Sequence, residues 1–205
     1  MRELSLHILD AIQNSLEAGA TLVDVRIEEN LTTDRLTITI QDNGRGMDEA
    51  QLARVFDPFY TTRKTRHVGL GIPLFKAAAT RCNGDLAITS EVGRGTALRA
   101  TFQHSHIDRA SLGDITGTLM AVILGGPGDL RYLHRVTRWQ GNKETRKQGN
   151  KEIRELRDER VKEFEFNTAE IKAELGDAPL THPAVRAWLR DFIAAGEATL
   201  SEASI

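Results

Sequence analysis

The chain has 205 residues, 40% of them hydrophobic, and a formal net charge of -2. That leaves room for one domain, or one domain with a smaller part added, and the near-neutral balance excludes bulk attraction to nucleic acid or to an anionic membrane. The single Cys82 excludes an intrachain disulfide framework; with no run of about 18 apolar residues and no signal-peptide pattern, the expectation is a cytoplasmic protein without a membrane span.

Residues 3 to 18 are predicted to form a helix. Leu4, Ile8, Ile12 and Leu16, with Leu9 beside them, give it an apolar face. A second stripe, His7, Asp10, Asn14 and Glu17, is polar and contains no cation. It is either the solvated side of an amphipathic helix or a set of oxygen ligands of the kind magnesium prefers. Gly19 is the expected helix stop. Val23, Val25 and Ile27 alternate as in a strand, and Leu36 to Gln41 does the same after the turn at Thr32-Thr33-Asp34. The second strand delivers Asp42-Asn43-Gly44-Arg45-Gly46-Met47. Read alone this is a turn; read with its neighbours, a carboxylate followed by two spaced glycines is a floor against which a flat ligand could lie.

A short helix is expected over 48–55, acidic end first. The loop from Phe56 to His67 opens aromatic and closes basic, so its base can be anchored while Arg63, Lys64 and Arg66 reach an anion or remain solvated. Gly69-Leu70-Gly71 then leads into a helix running to Arg81, with Pro73 in its first turn. Glycines before a helix start bring free N–H groups to the end where the dipole favours phosphate. Cys82 closes this helix as a small core residue. Two strands, 86–90 and 97–102, follow, joined by Gly93-Arg94-Gly95-Thr96 as a hairpin loop.

In the second half, 112–124 is apolar enough for a buried helix stopped by Gly125-Gly126-Pro127-Gly128. Residues 129–136 and 162–166 are expected as hairpin strands. A capping box starting at Thr168 opens a helix to Leu175. The last helix opens at His182-Pro183, with Val185, Leu189 and Phe192 as its apolar face and Trp188 alongside. Between the two strands a segment beginning Gln140-Gly141-Asn142-Lys143-Glu144 is nearly repeated from Gln148. From Arg135 to Lys162, ten Lys or Arg stand against five Asp or Glu. This reads as an inserted basic hairpin extension, partly helical through Lys151/Glu155 and Arg154/Asp158 pairs, and a solvated loop rather than a nucleic-acid contact.

Four features stand in order: the stripe ending in Asn14-Ser15, the Asp42 turn, the aromatic-basic loop, and Gly69-Leu70-Gly71. Together, over residues 3 to 103, they resemble the GHKL superfamily of gyrase-type topoisomerases, heat-shock chaperone ATPases, histidine kinases and mismatch-repair ATPases. The resemblance implies the Bergerat fold, an α/β two-layer sandwich with a mixed sheet on one side and helices covering the nucleotide on the other. Residues 1–105 would be the ATP-binding domain, and 106–205 a small α+β appendage carrying the basic insertion at 138–162.

The resemblance also assigns roles. Asn14 is the implied magnesium ligand and Asp42 the acceptor for the adenine amino group, with Gly44, Gly46 and Met47 lining the pocket. Phe56 opens the F box (56–62); Arg63 and Lys64 belong to the lid (62–68); Gly69, Leu70 and Gly71 hold phosphates; Thr96 supports the adenine through its hydroxyl. The second glycine box departs from the longer pattern, since His67 and Val68 stand where a further Gly-Thr is common. Asp10, one turn before Asn14, occupies the general-base position of the mismatch-repair and gyrase versions, where histidine kinases usually have Asn. It is one methylene shorter than Glu, so slow hydrolysis is expected. His7 either orients Asp10 or packs. The implied cofactors are ATP and Mg2+. The layout is that of a stand-alone bacterial ATP-binding protein, comparable to the anti-sigma-factor serine kinases. The expected function is transfer of the γ-phosphate to a separate, unidentified protein partner or phosphoacceptor. A slow ATPase switch and a nucleotide sensor without turnover are the alternatives, and a homodimer is open.

Overall fold

The computed structural model describes residues 3–58, 70–126, 128–140, 147–148, 151–152 and 158–201. Helix α1 (Leu4–Glu17) leads into strands β1 (Leu22–Asn30) and β2 (Arg35–Asp42), then α2 (Glu49–Arg54) and α3 (Gly71–Arg81). Strands β3 (Asp85–Glu91) and β4 (Gly95–Gln103) form the predicted hairpin, followed by α4 (Ile115–Gly125) and β5 (Asp129–Gln140). Two-residue strands β6 (Lys147–Gln148) and β7 (Lys151–Glu152) pair with each other; β8 (Asp158–Asn167), α5 (Thr168–Leu175) and α6 (Pro183–Ser201) complete the chain.

Six strands make one mixed sheet in the order β3-β4-β2-β1-β5-β8, in which only β1 and β5 run parallel. The strand alternation decides the layers. Val23, Val25 and Ile27 of β1, Leu36, Ile38 and Ile40 of β2, and Leu130 and Tyr132 of β5 turn inward. They meet Leu4, Ile8 and Ile12 of α1, Phe75 and Ala79 of α3, Leu119 and Ile123 of α4, and Leu189 and Ile193 of α6 in one apolar core. The opposite face carries exposed Arg26, Gln41, Ala87, Arg99 and Arg131. The result is an α/β two-layer sandwich with its helices over one face of a mixed sheet. The C-terminal α+β part is joined edge-on: β5 zips to β1 from Leu22↔Asp129 to Asn30↔Thr137.

Several boundaries differ from the sequence reading, each for a local reason. Helix α4 starts at Ile115, not 112, because the Asp114 carboxylate caps it by accepting from Gly117 N at 2.7 Å. Leu112 is held instead by a backbone bond from Ser5 N at 2.8 Å. The cap of α5 is Asn167, whose side chain accepts from Ala169 N; the Thr168 hydroxyl accepts from Leu130 N at 2.8 Å. The buried face of α6 is Leu189, Ile193 and Leu200, so Phe192 lies at its margin and Trp188, stacked on it, is half exposed. Gly196 lies on that face because a Cβ there would run into the Phe164 ring. Strand pairing of β5 with β8 continues to Gln140↔Asp158, which leaves the gap between them at 141–157. The proposed partners Glu155 and Arg154 lie outside the described residues.

At the seam between the halves, a chain of charged groups runs through the interior. Glu29 of β1 bonds His104 at 2.6 Å and His134 of β5 at 3.1 Å. His134 bonds Glu197 of α6 at 2.9 Å, and Tyr132 donates to Glu197 at 2.8 Å. Burial works to lower the His134 pKa, but its bonds to Glu197 and Glu29 outweigh burial and hold it at about 9. Burial likewise works to raise Glu29, and the His104 and His134 bonds outweigh it, leaving about 2. His134 is therefore a buried imidazolium between two carboxylates at neutral pH. A cavity of about 220 Å³ opens beside it, lined by Glu29, His134, Glu197 and the residues around the α4 start.

Candidate functional site

The other end of the sheet holds the predicted site residues. Asp42 ends β2 with only 8% of its surface exposed. Its Oδ2 accepts from Ser15 Oγ of α1 at 2.7 Å; its Oδ1 accepts from Gly44 N at 2.8 Å and from Thr96 N at 3.2 Å. Three neutral donors offset the burial of a carboxylate and fix its plane. A carboxylate has about four acceptor positions, so one remains for a ligand N–H.

The turn that follows is clamped on both sides. The Asn43 side chain accepts from Thr21 N and Leu22 N at 2.9 and 3.0 Å and donates to Thr21 Oγ1 at 2.9 Å, which pins the turn to the start of β1. Arg45 N donates to Ala18 O at 3.0 Å, and Gly93 N donates to Arg45 O at 2.8 Å. The glycines answer to this crowding. A Cβ on Gly44 would stand 3.0 Å from Ala18 Cβ and 3.0 Å from Asp42 Oδ1. Gly46 has φ +66°, and a Cβ there would overlap the Glu91 carbonyl.

Ser90 and Thr96 join the hairpin to this turn. Met47 N donates to Ser90 Oγ at 2.8 Å, Ser90 Oγ donates to Gly95 O at 2.9 Å, and the Ser90 and Thr96 hydroxyls lie 2.9 Å apart. Ser90 has one proton and gives it to Gly95, so Thr96 is the donor between the two hydroxyls, and its lone pairs stay available. Gly95, at φ +104°, lies so close to the Asp42 carbonyl that a Cβ would overlap it.

Helix α1 supplies the second wall. Asp10 and Asn14 are half-buried on the polar stripe, and Ser15, next to Asn14, makes the direct bond to Asp42. Asp10 faces the start of α3: a Cβ on Gly71 would overlap Asp10 Oδ2. Gly71 is needed there for clearance, not for an unusual φ. Leu70 is the N-cap residue of α3 and is exposed. Phe56, at the end of the α2 segment, packs against the core and carries Lys76 Nζ of α3 3.9 Å above its ring, a cation–π contact. Arg63, Lys64 and Gly69, with the rest of the lid, lie outside the described residues.

The structure thus brings Asp42, Gly44, Met47 and Thr96 into one hydrogen-bonded cluster with Gly46 packed against the Glu91 carbonyl, ties the helix of Asn14 to it through Ser15, and sets Asp10 against Gly71. Sequence reasoning missed Ser15, Ser90, Asn43 and Gly95 as members. Ser15 was visible beside Asn14, but nothing local says that its hydroxyl points to a residue 27 positions away. His7 is buried and stacked on Phe75 with centroids 4.8 Å apart and planes 11° apart, which is packing. Burial brings its pKa down to about 4, so the ring is neutral.

For a metal, the described residues contain no group of three or more His, Cys, Asp or Glu able to hold one. Asn14 contributes one amide oxygen. Magnesium ordinarily keeps several waters and takes its other oxygens from phosphates, so this donor set fits a magnesium that arrives with a nucleotide. Among the described residues no helix is long and apolar enough to cross a membrane.

Comparison with known proteins meets this geometry from outside. The family described as histidine kinase-, DNA gyrase B- and HSP90-like ATPase matches residues 2–106. The tetrathionate sensor histidine kinase TtrS of Salmonella typhimurium is 32% identical over 114 residues, 54% of this chain and 19% of that protein. The heme sensor protein HssS of Staphylococcus saprophyticus is 36% identical over 97 residues, 47% of this chain and 20% of that protein. The sensor protein kinase FleS of Pseudomonas aeruginosa is 38% identical over 89 residues, 43% of this chain and 22% of that protein. The chain spans about a fifth of the length of these relatives. The family match falls on the first half, where the Asp42 turn, α1 and the start of α3 lie. That half is a GHKL ATP-binding domain of the histidine-kinase type, and the chain belongs to the family of histidine kinase-, DNA gyrase B- and HSP90-like ATPases.

Proposed function

We propose that this protein binds magnesium-ATP between α1, the Asp42 turn and the start of α3, and transfers the γ-phosphate to a side chain of a separate protein partner. The observation that supports the reading is the Ser15–Asp42 hydrogen bond, because it ties the helix that carries Asp10 and Asn14 to the glycine-lined strand end. Asp42 accepts the adenine amino group at its remaining position. Thr96 offers its lone pairs to the ring edge directly or through water. The close-packed Gly44–Gly46 turn gives the base a flat backbone floor. The first N–H groups of α3 have no partner within the helix, and Pro73 in that turn has none to lose, so the helix start is suited to phosphate oxygens. Asn14 would hold the magnesium, which when bound neutralises charge on the phosphates. Asp10, at the same helix start, accepts the proton of the attacking hydroxyl. The sensor-kinase names of the relatives agree with transfer to a protein.

One observation favours a second reading. Asp10 is a carboxylate where kinases of this type usually carry Asn, and in that position it can activate water as well as a hydroxyl. The protein would then be a slow ATPase whose nucleotide state alters a binding surface in the C-terminal half. Incubation with γ-labelled ATP and magnesium separates the two: label on a co-purifying protein supports transfer, free phosphate alone supports the ATPase. Absence of both, with ATP bound, leaves a nucleotide sensor and removes Asp10 from any chemistry.

A further inference from the structure

Two contacts between helices α1 and α3 lie one turn apart. One is Asp10 against Gly71. The other lies one turn back along α1 and one turn on along α3, where the His7 ring lies flat on Phe75 with 4.8 Å between centroids and 11° between planes. Residues three and four apart share a helix face, so His7 and Asp10 on one side and Gly71 and Phe75 on the other form a ladder. His7 is only 4% exposed, and its Nδ1 has no hydrogen-bond partner among the described residues. An unpaired buried nitrogen costs stability, and an apolar residue of similar size would avoid that cost. What the imidazole supplies is a thin, flat ring that holds two helix axes at a set distance. Phe75 also packs on Phe102 of β4 with centroids 6.2 Å apart, so the α3 side of the ladder is backed by the sheet.

The ladder controls one quantity that matters for chemistry. Gly71 has no side chain to hold Asp10 off, so the separation of the Asp10 carboxylate from the start of α3 is set by whatever spaces the helices next to it. That spacer is the His7–Phe75 stack. We infer that His7 is a positioning residue, which fixes the reach of Asp10 to a phosphate held at the α3 start by stacking on Phe75. The inference rests on the reading of Asp10 as the base. His7 itself touches no substrate. Because the general base works over a hydrogen-bond length, a displacement of about 1 Å can cost up to roughly 10²-fold in rate while barely changing affinity.

The test uses the full chain with magnesium-ATP, measuring kcat and KM for phosphate release or transfer together with ATP affinity by calorimetry. His7→Ala should lower kcat roughly 10- to 100-fold with ATP affinity unchanged, and His7→Phe, which keeps a flat stacking ring and removes the unpaired nitrogen, should restore most of it. If His7→Ala folds poorly, Phe75→Leu is the second probe: it keeps the core filled, ends the flat stack, and should give the same kcat loss at constant affinity. Unchanged kcat in either variant, or failure of a folded His7→Phe to restore rate, overturns the inference. Asp10→Asn run beside them tells the two readings apart. If it abolishes turnover while His7→Ala does not, only the positioning role is lost; if it leaves turnover intact, the base assignment falls and the positioning role falls with it.

Discussion

Two carboxylates, one buried and one partly buried, sit at opposite ends of the same pair of strands, and their surroundings differ in kind. Asp42, opposite Val23 at one end, is held by a hydroxyl and two backbone N–H groups, all neutral. Glu29, opposite Leu36 at the other end, is held by two imidazoles. Neutral donors fix a carboxylate while leaving its negative charge available to a ligand. A cationic donor such as His134 consumes the charge, and what it leaves is a tie between chain segments 105 residues apart. The Asp42 end leaves an acceptor position open; the Glu29 end holds the C-terminal strand and helix onto the first half.

This contrast predicts a double dissociation, with effects of falling size. Asp10→Asn should lower turnover by roughly 10²- to 10⁴-fold, the usual worth of a general base, while calorimetry finds ATP binding and thermal melting intact. Glu29→Ala should do the reverse, costing about 1–3 kcal/mol of stability, because it leaves His104 and the Nε2 side of His134 without their shared acceptor while Glu197 still faces His134; the fraction still folded should bind ATP as before. Asp42→Asn presents an amide to three donors and to the ligand, so it should weaken ATP binding by roughly 10- to 100-fold, the value of a charged hydrogen bond, seen by titration calorimetry. Equal loss of ATP affinity in Glu29→Ala and Asp42→Asn would erase the distinction between the two ends.

The pH dependence sharpens it. His134 has its folded pKa raised from 6.5 to about 9, so its contribution to stability is fully present below 6.5 and is lost as pH rises through 9. Glu29 is lowered from 4.5 to about 2, so its contribution is present above 4.5 and is lost as pH falls through 2. Melting followed by circular dichroism should therefore show a drop on the alkaline side, and Glu197→Gln should shrink it. The smallest effect expected is at His7. His7→Phe removes an unpaired buried nitrogen at the cost of fitting a larger ring and should raise stability by about 1 kcal/mol, visible as a higher melting temperature.

Much of the layout was legible from the chain alone. The stripe of Leu4, Ile8 and Ile12, the alternation of Val23, Val25 and Ile27, and the stop at Gly19, which adopts φ +79°, each depend on residues a few positions apart. The same holds for the short helix expected over 48–55, which the structure has at Glu49–Arg54. Errors came where a local signal had a competitor. Thr168 reads as a cap, but its hydroxyl is taken by Leu130 N, 38 residues away; the α6 face was read toward Phe192, but burial follows Leu189 and Ile193.

What the amino-acid order determined by itself, then, is the set of elements and the family, because periodicity, capping and short glycine motifs act within one or two turns of chain. Tertiary structure alone decided the rest: the parallel pairing of β1 with β5, the Ser15–Asp42 bond, the clearance of Gly71 for Asp10, the His7–Phe75 stack, and the Glu29–His134–Glu197 tie. Each joins groups 27 to 107 residues apart or depends on how two helices are spaced. No local pattern carries that information, since such contacts exist only after the core has packed.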